Sequence, residues 1–66
     1  MRLKINGESR EISEGVTLMG LLRSLGVEPG AVAVQRNGDI LDRACFGVTE
    51  LAHGDTIEVI HCVAGG

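Results

Sequence analysis

The chain has 66 residues, ten of them glycine, with one proline, one phenylalanine and no tryptophan or tyrosine, so it reads as one small domain with an aliphatic core. A domain of this size buries only about 60% of the surface its unfolded chain exposes. That leaves little room for a core, a substrate pocket and a catalytic shell together, and argues against an autonomous enzyme. Six Lys and Arg against nine Asp and Glu give a net charge of −3, with neither a basic cluster nor an aromatic platform, so nucleic acid is a poor candidate partner.

Leu3 and Ile5 alternate with Arg2, Lys4 and Asn6, the period-two pattern of a strand with one buried face. Asn6-Gly7 follows, and both residues tolerate the positive φ of a type I′ turn. A hairpin is predicted with Ile5 opposite Glu8, Leu3 opposite Arg10 and Met1 opposite Ile12. Glu14-Gly15 ends the second strand, and Thr17 can N-cap a helix whose Leu18, Leu21, Leu22 and Leu25 form one aliphatic stripe. Gly26 fits the C′ position of a Schellman ending, with Val27 set to touch Leu22, and Pro29 prevents the helix from resuming. Ala31 to Gln35 reads as a third strand with Val32 and Val34 on one face. A second Asn-Gly pair, Asn37-Gly38, turns the chain into a short Ile40-Leu41 strand.

Asp42 to Ala52 shows no sustained period and is expected to be loop with a short turn of helix. His53-Gly54-Asp55 makes a turn before the β-branched run Thr56 to Val63. In that last strand Ile57, Val59 and Val63 share one face, and Ile60 and Cys62 share the other. One amphipathic helix can cover one face of a single sheet, which gives an α+β two-layer architecture. The element order resembles the β-grasp, or ubiquitin-like, fold: one mixed sheet of four to five strands packed on one main helix. That likeness implies a last strand lying parallel to the first, in the middle of the sheet.

After Val63 come Ala64, Gly65 and Gly66, so the terminal carboxylate sits on two residues without side chains. Glycine can thread a narrow channel, and its carbonyl is unhindered to attack. Three extended residues span roughly 10 Å, enough for the carboxylate to enter a partner's pocket while the folded body stays outside. With a pKa of about 3.3 to 3.7 a terminal carboxylate is ionised at neutral pH and is a poor electrophile. Another protein would have to convert it to an acyl-phosphate-type anhydride with ATP.

The whole chain resembles the sulfur carrier protein ThiS family of thiamine biosynthesis. The likeness runs from Asn6-Gly7 through Val32-Ala33-Val34 and Asn37-Gly38 to Gly54-Asp55 and Val63-Ala64-Gly65-Gly66. It implies a carrier that is not itself an enzyme and holds no cofactor. Gly66 would be adenylated by a ubiquitin-activating-enzyme-like, ThiF-like adenylyltransferase using ATP and magnesium. Sulfur drawn from cysteine through a desulfurase would then give a C-terminal thiocarboxylate, which a ThiG-like thiazole synthase consumes. Gly65 and Ala64 would thread the partner's channel. The small subunit of molybdopterin synthase shares the fold and the di-glycine end, but its relatives often carry prolines before the terminal segment, and Ile60-His61-Cys62-Val63 has none. A plain β-grasp interaction module and a ubiquitin-like modifier are the other readings. His61 and Cys62 in the last strand, and Cys45-Phe46, depart from the family's pattern.

Ile60 points to the open face of the sheet, where, with Cys62, it would mark a partner surface unless the segment from Cys45 to Leu51 covers it. Cys45 and Cys62 match neither a CxxC pair nor a four-ligand zinc pattern, so reduced thiols and no metal are expected. Cys62 reads as a partly exposed packing residue, Cys45 as a loop thiol, His53 as a solvated turn residue, and His61 as packing or solvent contact. No stretch approaches the roughly 18 apolar residues that span a bilayer. Met1 to Asn6 lacks a signal-peptide apolar region, and a cytoplasmic location is expected.

Overall fold

Two Asn-Gly pairs fix the sheet. In the computed structural model of the chain, which describes residues 1–62, Asn6 and Asn37 have φ of 49° and 53°, and Gly7 and Gly38 follow at 83° and 90°. Consecutive left-handed residues are what a type I′ turn demands. The first turn joins β1 (Arg2–Ile5) to β2 (Glu8–Glu11), with Ile5 opposite Glu8 and Leu3 opposite Arg10. The register continues past the strand end, since Met1 and Ile12 exchange two main-chain hydrogen bonds of 2.8 Å. The second turn joins β3 (Val32–Arg36) to β4 (Asp39–Ile40).

β5 (Thr56–His61) lies in the centre of a five-stranded sheet ordered β2-β1-β5-β3-β4, parallel to β1 and antiparallel to β3. This is the expected β-grasp arrangement. Helix α1 (Leu18–Ser24) crosses one face, and its first turn is capped by the Thr17 hydroxyl, which accepts from Gly20 N–H at 3.1 Å. Its last turn closes as predicted: Gly26 N–H donates to Arg23 O at 3.1 Å and Val27 N–H to Leu22 O at 2.9 Å, with Gly26 at φ 73°. A Cβ on Gly26 would meet nothing within 4 Å. Gly26→Ala therefore isolates the backbone cost of the left-handed C′ residue. It is expected to lose about 1 kcal/mol, read as a lower urea midpoint at constant slope; an unchanged midpoint would refute the assignment.

The core lies between α1 and the sheet. Leu3 and Ile5 of β1, Val32 and Val34 of β3, and Ile57 and Val59 of β5 are buried against Leu18, Leu21 and Leu22. Leu25, expected in the same stripe, is only half-buried; it is the C-cap, one residue past the end of the helix. Four expectations need correction. The core is not purely aliphatic, since Phe46, 1% exposed, is its largest buried side chain. β3 starts at Val32, because Pro29–Ala31 forms a 3-10 turn with Ala31 N–H bonded to Glu28 O. β4 is Asp39–Ile40 and not Ile40-Leu41, because a two-residue turn makes Asp39 the first partner of Arg36. The last strand ends at His61, after which Cys62 N–H makes one more bond, to Ala31 O at 2.9 Å.

Candidate functional site

The site expected from the sequence is the end of β5 and the segment that follows it. Ala64, Gly65 and Gly66, expected to be the threading segment and its reactive carboxyl, lie outside the described residues, as does Val63. The structure describes the platform that precedes them in the chain. β5 enters that platform locked on both sides. Asn37 Oδ1 accepts from Thr56 N–H at 2.9 Å and Asn6 Oδ1 accepts from Val59 N–H at 2.8 Å. The asparagines of both hairpin turns thus stitch the central strand, a task for their side chains beyond the backbone freedom that placed them there.

Below the strand, Asp55 is buried and takes three hydrogen bonds: from Arg36 Nε at 2.9 Å, from Asn37 Nδ2 at 3.0 Å and from Ala52 N–H at 2.9 Å. Burial by itself pushes this carboxyl up. The Ala52 amide, the Asn37 amide and the Arg36 guanidinium together outweigh it and hold the carboxyl below its ordinary value. His53, expected to be a solvated turn residue, is exposed but also accepts from Arg2 N–H through Nδ1 at 3.0 Å, tying the turn to β1. The start of β5 is held from both hairpins and from its own turn.

Along β5 the side chains alternate as the pattern predicts. Ile57 and Val59 face α1, while Glu58, Ile60 and Cys62 lie on the open face of the sheet. Ile60 is 47% exposed and stands opposite Ala33. Ile40, read in the sequence only as a strand residue, is 67% exposed on the same face, opposite Gln35. The segment after β4 does not cover Ile60. It folds over the helix layer, where Leu18 N–H donates to Thr49 O, Met19 N–H to Phe46 O, and Leu51 N–H to Val16 O. Phe46 and Leu51 are buried there, so the sheet's other face stays open. Both thiols are free and exposed. Among the described residues no group of three or more His, Cys, Asp or Glu is placed to hold a metal ion, and no helix is long and apolar enough to cross a membrane.

Comparison with known proteins agrees with this geometry. The model of the ThiS family matches residues 3–66. The sulfur carrier protein ThiS of Bacillus subtilis is 34% identical over 65 residues, covering 97% of this chain and 98% of that protein. A thiazole synthase of Magnetococcus marinus is 42% identical over all 66 residues, but the chain spans only 20% of its length. The crystal structure of the thiamine biosynthesis protein ThiS of Geobacter metallireducens superposes with a TM-score of 0.87 at 32% identity, each chain covered in full.

Proposed function

From the premise that this chain belongs to the ThiS family, we propose that it is a cytoplasmic sulfur carrier for thiazole formation in thiamine biosynthesis, and that it performs no catalysis itself. The family match carries this reading, because it runs unbroken through the di-glycine end at Gly66. In the proposed cycle an adenylyltransferase of the ubiquitin-activating type binds ATP and magnesium. The Gly66 carboxylate attacks the α-phosphorus, pyrophosphate leaves, and the carboxyl becomes an acyl adenylate. A sulfur nucleophile then displaces AMP. When the sulfur arrives as a desulfurase persulfide, a second thiol supplies two electrons and frees the thiocarboxylate. A thiazole synthase takes the sulfur and the carrier returns with its carboxylate restored. That a segment like this whole chain is covalently part of a protein named thiazole synthase supports such an enzyme as the consumer.

Small residues suit this task. Ala64, Gly65 and Gly66 add almost no width to the backbone, so the carboxyl can enter a pocket too narrow for the folded body. Ile60 and Cys62 on the open face, with Ile40 two strands away, give the activating enzyme an apolar surface at the end of β5.

The test is mass spectrometry after incubation with ATP, magnesium, the activating enzyme and a sulfur donor. The expected product gains about 16 Da as sulfur replaces one carboxylate oxygen. One residue appended after Gly66 should abolish that gain with the fold unchanged, because the reacting carboxyl is then displaced from the di-glycine end. A chain that gains nothing with cognate enzymes, or an appended chain that gains normally, would refute the carrier reading. Isopeptide adducts on lysines would assign the chain to protein modification instead.

A further inference from the structure

The end of β5 has one edge that the described residues leave bare. Strand backbones alternate the side to which they offer hydrogen bonds. In β5 the even-numbered residues serve β3: Thr56 O accepts from Asn37 N–H at 2.8 Å and Cys62 N–H donates to Ala31 O at 2.9 Å. The odd-numbered residues serve the β1 side: Ile57 O accepts from Asn6 N–H at 2.9 Å and Val59 N–H donates to Asn6 Oδ1 at 2.8 Å. β1 pairs with β5 only at Lys4 with Thr56 and Ile5 with Ile57, and then turns away at Asn6-Gly7. The Val59 carbonyl and both main-chain groups of His61 therefore point to a side where, among the described residues, no strand lies.

The other edges are managed. β2 carries Glu8, Arg10 and Glu11, all exposed charges that deter pairing. Beyond the short β4, the outer edge of β3 is closed by Leu41 N–H on Val34 O at 2.9 Å and by Arg43, which donates to Val32 O at 3.4 Å and to Pro29 O at 3.2 Å. Among the described residues the β5 stub has no such cover. It lies in the sheet's centre, is held rigidly up to Val59, and leads straight to the di-glycine segment.

We propose that the adenylyltransferase holding the Gly66 terminus grips this chain by adding an extended strand of its own to the bare edge at residues 59–61. The inference rests on the carrier reading above and names how its partner binds. The complement of an unpaired carbonyl, N–H, carbonyl ladder is another extended backbone, whose bonds do not depend on side-chain identity. Such a strand sits beside Ile60, so an apolar side chain on it can cover that residue. It also places the grip within five residues of the terminal carboxyl, at most about 18 Å of fully extended backbone.

His61→Pro tests this. Proline removes the His61 N–H, which lies outside the β3 ladder, and proline is tolerated where the N–H faces away from a neighbouring strand. His61→Ala removes the imidazole and keeps the N–H. Calorimetric titration with the adenylyltransferase should show His61→Pro weakened at least about tenfold and His61→Ala within about twofold of the parent. Circular dichroism checks the fold. Should His61→Pro fail to fold, amide exchange on the unmodified chain decides: the His61 N–H must become protected when the enzyme is added. Equal binding by both folded variants, or no added protection, overturns the proposal while the gain of 16 Da by the unmodified chain leaves the carrier reading intact. A chain that never gains sulfur sinks both. Concentration-dependent dimers lost only in His61→Pro, with enzyme binding unaffected, would assign the edge to a second copy and overturn the proposal as well.

Discussion

Phe46→Ala is expected to leave most of the chain unfolded at 25 °C. Phe46 is 1% exposed and sits among Leu18, Leu21, Leu22, Ile57 and the core valines. Truncating a buried phenylalanine costs about 3 to 5 kcal/mol through lost transfer energy and the cavity left behind. A core in a domain this small supplies about 3 to 5 kcal/mol of net stability in total. The two quantities are the same size, so the substitution removes the margin. Phe46→Leu keeps most of the volume and should cost about 1.5 kcal/mol, leaving a folded protein with a lower urea midpoint. The two variants separate packing from any effect on the loop backbone, where Phe46 O accepts from Met19 N–H at 2.9 Å. A Phe46→Ala chain with a midpoint near the parent's would show that the helix layer does not depend on this side chain.

Phe46 also marks where the sequence stops being readable. The hairpins, the helix and its ends were legible because each is written in neighbouring residues. Asn6-Gly7 and Asn37-Gly38 need only local backbone freedom, and Thr17 and Gly26 satisfy groups within one turn of themselves. From these, the α+β order followed by the rules of layer packing, whereas the central placing of β5 came from the likeness to the β-grasp fold. Asp42 to Ala52 has no period because it is neither strand nor amphipathic helix. Its ordering comes from main-chain bonds of Phe46, Thr49 and Leu51 to the start of α1, more than twenty residues back in the chain. A single aromatic in an aperiodic segment carries no local sign that it fills the core.

The same reason explains what was missed around the site. His53 and Asp55 read as turn residues, which they are, but their partners Arg2, Arg36 and Asn37 are brought to them only by the closed sheet. The face of Ile60 was legible from alternation alone. That it stays uncovered depended on which layer the segment after β4 joins, and no pattern in that segment says so. The chemistry proposed at Gly66 was argued from residue type alone, in Ala64-Gly65-Gly66, and uses no tertiary contact.

Asp55→Asn is the substitution expected to cost most outside the core, and its cost should depend on pH. Burial disfavours the Asp55 carboxylate, but the hydrogen bonds from Ala52, Asn37 and Arg36 favour it more, so its folded value lies below the ordinary one of about 3.9. A carboxyl whose folded value is depressed binds fewer protons folded than unfolded between the two values, so stability rises with pH across that window. Its contribution is complete above the unfolded value and is lost as pH falls from there through the folded one. At pH 7 the substituted carboxamide would keep the shape but offer an amide hydrogen to one of three donors. That donor is left unmatched, and the Arg36 charge, partly buried with a 28% exposed side chain, loses its counter-ion. The expected cost is about 2 to 3 kcal/mol. Urea midpoints of parent and variant should differ fully at pH 7 and pH 5, begin to approach each other as pH falls below about 3.9, and meet only once the folded carboxyl is itself protonated. A gap that stays constant down to the acid transition would mean that the carboxylate is not what these donors hold. The clasp joins the second hairpin to the turn that launches β5, so its loss should also loosen the Asn37 to Thr56 bond and with it the register in which the central strand reaches its open end.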